Sequence, residues 1–145
     1  MNGSIFVDTN VLVYTRDASK LDKQIQAAEW IAHLWKSGRG RLSLQVLAEF
    51  YAVVTGKLKP GMETTKARED VEDLLTWQPL PLTPDLFAEA WLLKDIYHLP
   101  WWDLLILAAA KNLQCSFLLS EDFQHERDFQ GIRVINPFLV RPIEL

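Results

Sequence analysis

The chain of 145 residues carries one cysteine, Cys115, so no disulfide can close within it and a cross-linked scaffold is excluded as the source of its stability. Its three histidines, His33, His98 and His125, are scattered and do not form the spaced His and Cys sets that hold zinc. Long apolar runs are missing as well. The longest, Leu104 to Ala110, falls far short of the ~20 residues that cross a bilayer, so no membrane span is expected. No charged segment followed by an apolar stretch opens the chain, which makes the cytoplasm the expected location. Positive charge is also short: 15 Lys and Arg stand against 19 Asp and Glu, for a net charge of −4. Taken at face value, that balance argues against nucleic acid as a partner. The objection weakens if four of the acids gather at one metal site, because the remaining acids then only equal the basic residues in number and local basic patches can still meet phosphate.

What the chain does contain is apolar sequence in short, ordered blocks. Hydrophobic residues make up 49% and charged residues 23%, and the length suits one self-supporting domain over residues 1–145. The apolar run Ile5-Phe6-Val7 stops at Asp8-Thr9-Asn10 and predicts a strand over 4–8 that is covered on both faces, because its apolar residues do not alternate with polar ones. Asn10 to Arg16 then reads as a helical turn. Residues 22–37 form a longer helix, with Ile25, Ala28, Ile31, Ala32 and Trp35 at helical spacing and Gly38 as its stop. A strand at 41–44 leads into a helix at 45–55, closed by Gly56, whose buried stripe is Val46, Leu47, Phe50, Val53 and Val54. After a loop over 57–65, further helices are expected at 66–76 and at 84–97, the latter with Phe87, Ala90, Trp91 and Ile96 facing inward. Pro79 and Pro81 reduce 78–82 to an edge strand or an extended connection. The helix opened by Pro100-Trp101-Trp102-Asp103 is apolar all round through Ala110 and is therefore buried. Strands at 116–119 and 132–135 complete an α/β pattern, with an irregular loop or short helical turn over 123–131.

Four acids fall at one edge of this pattern. Asp8 ends the first strand, Asp122 follows the strand at 116–119, Glu49 flanks the buried stripe of its helix, and Asp103 stands in the first turn of the buried helix, where the helix dipole and free N–H groups favour negative charge. The carboxyl edge of a parallel sheet is where ligands bind in open α/β folds. Carboxylates gathered there raise one another's pKa and need either shared protons or a cation. An all-oxygen ligand set selects a hard ion, Mg²⁺ or Mn²⁺. Water acidified by such an ion attacks a phosphodiester, and a pair of ions roughly 3.5–4 Å apart can activate the water and steady the leaving oxygen.

These motifs, FVDTN at 6–10, LSLQVLAEFY at 42–51, WWDLLILAAA at 101–110, LLSEDF at 118–123 and GIRVINPF at 131–138, resemble the PIN-domain family of ribonucleases, and within it the VapC-type toxins of toxin–antitoxin pairs. The resemblance covers nearly the whole chain. It implies a three-layer α/β/α sandwich around a mainly parallel sheet and a metal-dependent endoribonuclease using Mg²⁺ or Mn²⁺. Asp8, Glu49, Asp103 and Asp122 match the family's metal-binding, catalytic acids. Asn10 and Ser120 match residues that orient those ligands or a water, and Thr9 is a weaker candidate for the same work. The resemblance also implies an RNA substrate, a small antitoxin that blocks the site, and a homodimer. Two positions depart from the family pattern: Pro100-Trp101 stands where a serine and an aromatic are expected, and Glu126-Arg127 stands where a glycine is expected.

Each acid also has an ordinary explanation. Asp8 can cap the following helix, Asp103 can complement a helix dipole, Glu49 can be a solvated helix residue and Asp122 a turn residue. Glu121 adjoins Asp122 and is read as a surface residue. Trp101 or Trp102 can shape the crevice beside Asp103, and Arg16, Arg39, Arg41, Lys57 and Lys59 are candidate phosphate contacts. Three other functions compete. A receiver-like signalling domain lacks its acid pair and late lysine here, and a phosphatase using Asp8 as nucleophile lacks a second Asp two positions on. A catalytically weak or silent PIN-like module acting through partner or RNA binding is compatible with the same residues.

Overall fold

The apolar blocks pair into one sheet. A computed structural model describes residues 3–145 and shows five strands in the order β2-β1-β3-β5-β4. Strands β1 (Ile5–Val7), β2 (Gly40–Arg41), β3 (Phe117–Leu119) and β5 (Ile132–Ile135) are parallel, and β4 (Asp128–Phe129) runs antiparallel to β5. Every residue of β1 and β3 is buried, so both faces of the sheet's centre are covered, which accounts for the lack of polar alternation in these strands. The covering helices are α1 (Thr9–Tyr14), α2 (Leu21–Ser37), α3 (Leu44–Gly56), α4 (Thr64–Leu75), α5 (Pro84–Ile96) and α6 (Trp101–Asn112). The expected α/β architecture with a mainly parallel sheet is present. Among the described residues, no helix is long and apolar enough to cross a membrane.

Topology singles out one place on the sheet. The chain leaves β1 for β2 on one side and later returns to β3 on the other side of β1. Helix α1, which leaves β1, and the loop that leaves β3 therefore stand side by side at the carboxyl edge, where the strand order reverses. Helix α6 is the core's centre: Leu104 to Ala110 are all buried, as their uniformly apolar sequence requires.

Several expectations need correction. Helix α2 buries Ala27, Trp30 and Leu34, whereas Ile25 and Trp35 are largely exposed and Ala28, Ile31 and Ala32 line a surface groove with Asp70 and Leu74 of α4. Helix α5 buries Leu86, Ala90 and Leu93, and Phe87, Trp91 and Ile96 face outward. Both helices are apolar on more than one face, so periodicity alone did not identify the inner one. On α5 the outward aromatics meet α6: Phe87 packs edge-on to Trp101 at 5.5 Å, and Trp91 stacks on it at 6.2 Å. Residues 123–131 hold β4 and a tight hairpin through Gln130 and Gly131, both at positive φ, a turn in which glycine is at ease. The 78–82 segment makes one parallel bridge, Ser43 to Leu80, and is otherwise an extended connection.

Gly40 sits where β2 passes under an indole. A Cβ at this position would lie 2.4 Å from the ring of Trp77, which itself packs edge-on to Trp35 at 5.2 Å. Gly40→Ala must push that ring aside, and we expect a loss of about 1–3 kcal/mol, read as a lower urea midpoint at unchanged m-value. An unshifted midpoint would show that Trp77 moves freely.

Candidate functional site

Asp8 stands one residue beyond β1, and two demands meet on it. As N-cap of α1 its Oδ1 accepts the Thr9 backbone N–H at 2.7 Å. Its Oδ2 accepts the hydroxyl of Ser120 at 2.7 Å and the amide of Asn10 at 3.1 Å. The capping explanation therefore holds, and it accounts for only one of the two carboxylate oxygens.

The second strand's end meets the first through Ser120 and Asn10. Ser120 is completely buried, and its oxygen accepts the backbone N–H of Asp122 at 3.0 Å. The Asn10 amide nitrogen also reaches Ser120 Oγ and Asp122 Oδ2, both at 3.2 Å, and its Oδ1 accepts the Glu121 N–H at 3.1 Å. That last bond fixes which way the amide faces. Two short segments more than a hundred residues apart are thus tied by one side chain.

Glu49 enters from α3, which packs against α1. Thr9 Oγ1 donates to its Oε2 at 3.1 Å, and Gln45 Nε2 donates to its Oε1 at 2.8 Å. Gln45 escaped the sequence reading, although a Gln four residues before a Glu on a helix is a known bonding pair. Asp103 enters from the first turn of α6 and is half-buried; none of the described hydrogen-bond donors reaches its carboxylate.

The charges of these groups act on one another. Burial, with smaller effects from the charges of Asp122 and Asp103, pushes the Asp8 carboxyl from 3.8 up to about 7, against the opposing hydrogen bonds from Ser120 and Thr9. Burial also raises Asp103, helped by the charges of Asp122 and Glu49, so the helix dipole that favours its ionised form is outweighed. Among the described residues, no Lys or Arg forms an ion pair with any of the four.

Oxygen donors with unneutralised charge suit a hard divalent cation. No three His, Cys, Asp or Glu side chains among the described residues are arranged to enclose one ion unaided.

The remaining candidates fall elsewhere. Glu121 is not a free surface residue: its carboxylate pairs with Lys23 of α2. His125 Nδ1 accepts the Asn136 backbone N–H at 3.0 Å, which gives it a structural task. Arg16 is bound bidentately by Asp70, Arg39 donates to the Gly3 carbonyl, and Arg41 donates to the carbonyls of Gly38 and Gly40.

Without metal, the proton on Asp8 links the site to stability. Its folded pKa lies above the unfolded value, so the folded chain holds a proton that the unfolded chain releases between pH 4 and 7. Stability from this group is therefore greatest at low pH and is lost as pH rises toward about 7, by on the order of 4 kcal/mol in full. Melting in chelator should show Asp8→Asn more stable than the unmodified chain at pH 8, with the difference shrinking toward pH 5. Parallel pH curves for the two would refute the burial argument.

The comparisons with known proteins bear on what this edge is. A search of curated protein sequences returned no significant match. The model of the PIN domain matches residues 5–128, most of the chain and every one of the acids above. The chain belongs to the PIN-domain family.

Proposed function

We propose that the chain is a divalent-metal-dependent endoribonuclease that hydrolyses RNA phosphodiester bonds and serves as the toxin of a toxin–antitoxin pair. PIN domains are in general nucleases. The observation that carries the reading is the acidic edge itself, with four carboxylates close enough for their charges to act on one another and, among the described residues, no basic side chain paired with them.

In this reading Asp8, Glu49, Asp103 and Asp122 hold Mg²⁺ or Mn²⁺. The ion supplies an acidified water and positive charge for the phosphate. Ser120 and Asn10 hold Asp8 and Asp122 at a fixed spacing, and Gln45 and Thr9 hold Glu49. Trp102, 62% exposed and next to Asp103, offers an aromatic face on which a base of the bound strand can stack.

A nuclease active on cellular RNA endangers its own cell, which calls for an antitoxin covering the acids. The outward face of α5, with Phe87, Trp91, Leu92 and Ile96 each more than a third exposed, suits a homodimer contact. A silent module acting through partner or RNA binding is the competing reading. The lack of three ligands around one point among the described residues favours it.

The test uses purified protein with Mg²⁺ or Mn²⁺ and RNA. Asp8→Asn and Asp103→Asn should each lower cleavage by at least about a hundredfold, and Asn10→Ala by about 10–100-fold. Both Asp variants should also relieve growth arrest on expression. Cleavage that survives chelator, or that both Asp variants retain, would sink the reading.

The proton on Asp8 must leave before a cation binds there. Below about pH 7 the metal concentration at half-saturation should therefore rise by up to about tenfold per pH unit. Above pH 7 it should level off. A titration followed by tryptophan fluorescence checks this, and a midpoint independent of pH between 5.5 and 7 would remove Asp8 from the ligands.

A further inference from the structure

Any strand that brings a phosphate to this edge meets an electrostatic obstacle. Two divalent ions would at most cancel four carboxylates, which leaves the neighbouring phosphates of the strand without a counter-charge at the crevice. Five ion pairs occur among the described residues, and four of them lie on residues outside the acidic edge. The fifth joins Lys23 to Glu121, the residue between Ser120 and Asp122.

Lys23 is held more firmly than a surface lysine usually is. Its ammonium lies 4.9 Å from the centroid of the Tyr14 ring and 5.0 Å from that of Phe138, two rings that pack edge-on at 5.1 Å. The Tyr14 hydroxyl oxygen stands 3.5 Å from Nζ. Cation–π attraction and the Glu121 carboxylate together restrict a chain that would otherwise sample many rotamers. Of the three ammonium protons, one goes to Glu121 and one to Tyr14, which leaves one for a ligand. The Lys23 side chain remains 36% exposed, so that proton can be reached.

The cradle is tied to the acidic edge by the chain itself. The backbone N–H of Glu121 donates to Asn10 Oδ1, and the same Asn10 amide bonds Asp8 and Asp122. The position of the positive charge is thereby set by the residues that set the carboxylates.

We propose that Lys23 is a phosphate-binding residue of this site, which grips an RNA phosphate next to the one being cut, and that Glu121 is its anchor and not a metal ligand. The proposal rests on the nuclease reading for the identity of the strand. Its own content is that this charge is placed for phosphate, as a lysine binds it, by a point charge and a directed proton.

Binding and cleavage test the two ideas separately. A fluorescein-labelled single-stranded RNA oligonucleotide is titrated, with Mg²⁺ present, into the chain carrying Asp103→Asn so that it is not cut, and anisotropy is followed over a range of salt concentrations. Adding Lys23→Met should weaken binding about tenfold, the effect expected for one lost charge-assisted hydrogen bond. It should also reduce the slope of log affinity against log salt by about 0.7. Lys23→Arg should keep the slope. In the cleaving chain, Lys23→Met should raise KM more than it lowers kcat. Glu121→Gln should leave the Mg²⁺ midpoint where it is.

An unchanged affinity and slope in Lys23→Met would overturn the proposal, as would Lys23→Arg losing as much as Lys23→Met, or an oligonucleotide that does not bind at all. A shifted Mg²⁺ midpoint in Glu121→Gln would make Glu121 a ligand and remove the anchor. RNA binding that depends on Lys23, in a chain whose cleavage survives both Asp8→Asn and Asp103→Asn, would support this proposal while refuting the catalytic one.

Discussion

Like charges repel, and this fold holds four carboxylates at one edge of a sheet against that repulsion. The free energy to do so comes from elsewhere in the molecule, from a continuous core that runs through β1, β3 and the apolar run Leu104 to Ala110 of α6. The groups that position the acids are neutral: the Ser120 hydroxyl, the amides of Asn10 and Gln45, and the Thr9 hydroxyl and backbone N–H. Neutral donors orient a carboxylate without cancelling its charge. An arginine in the same place would pair with those carboxylates and take up the negative charge that the neutral donors leave at the edge. The site is therefore stable enough to exist and still short of positive charge.

The neutral donors also couple distant parts of the chain. Asn10 bridges the ends of β1 and β3, and Thr9, its neighbour, reaches α3. One dipeptide at the start of α1 thus touches three of the four acids. A change in its backbone would displace Asp8, Asp122 and Glu49 together, and the spacing between carboxylates is what decides whether ions can bridge them.

Most of this was legible in the sequence for identifiable reasons. Strands covered on both faces announce themselves by uninterrupted apolar runs, and α6 by having no polar side. The acids stood out because each terminates or flanks such a run. What could not be read was the rotation of helices with two apolar faces. On α2 and α5 a second stripe, Ile25 to Trp35 and Phe87 to Ile96, competes with the true inner one, and only packing against a neighbour decides. The partner of Glu121 could not be read for a related reason. That partner, Lys23, lies 98 residues away, and local sequence carries no trace of a contact made across the fold.

The four acids are not equivalent, and the difference follows from where their elements come from. Asp8 directly follows β1 and Asp122 comes shortly after β3, its parallel neighbour at the point where the strand order reverses, and Asn10, bonded to both carboxylates, sets their separation. Asp8 is almost wholly enclosed and spends both oxygens on donors. Asp103 comes from a helix terminus, is only half-buried, and receives no bond from the described donors. Donors fix where a carboxylate's oxygens stand, whereas a carboxylate without donors takes its position from packing alone. Rigidity is concentrated at the strand ends and unsatisfied charge on α6, so the edge combines a fixed reference point with a group whose charge is still unmet.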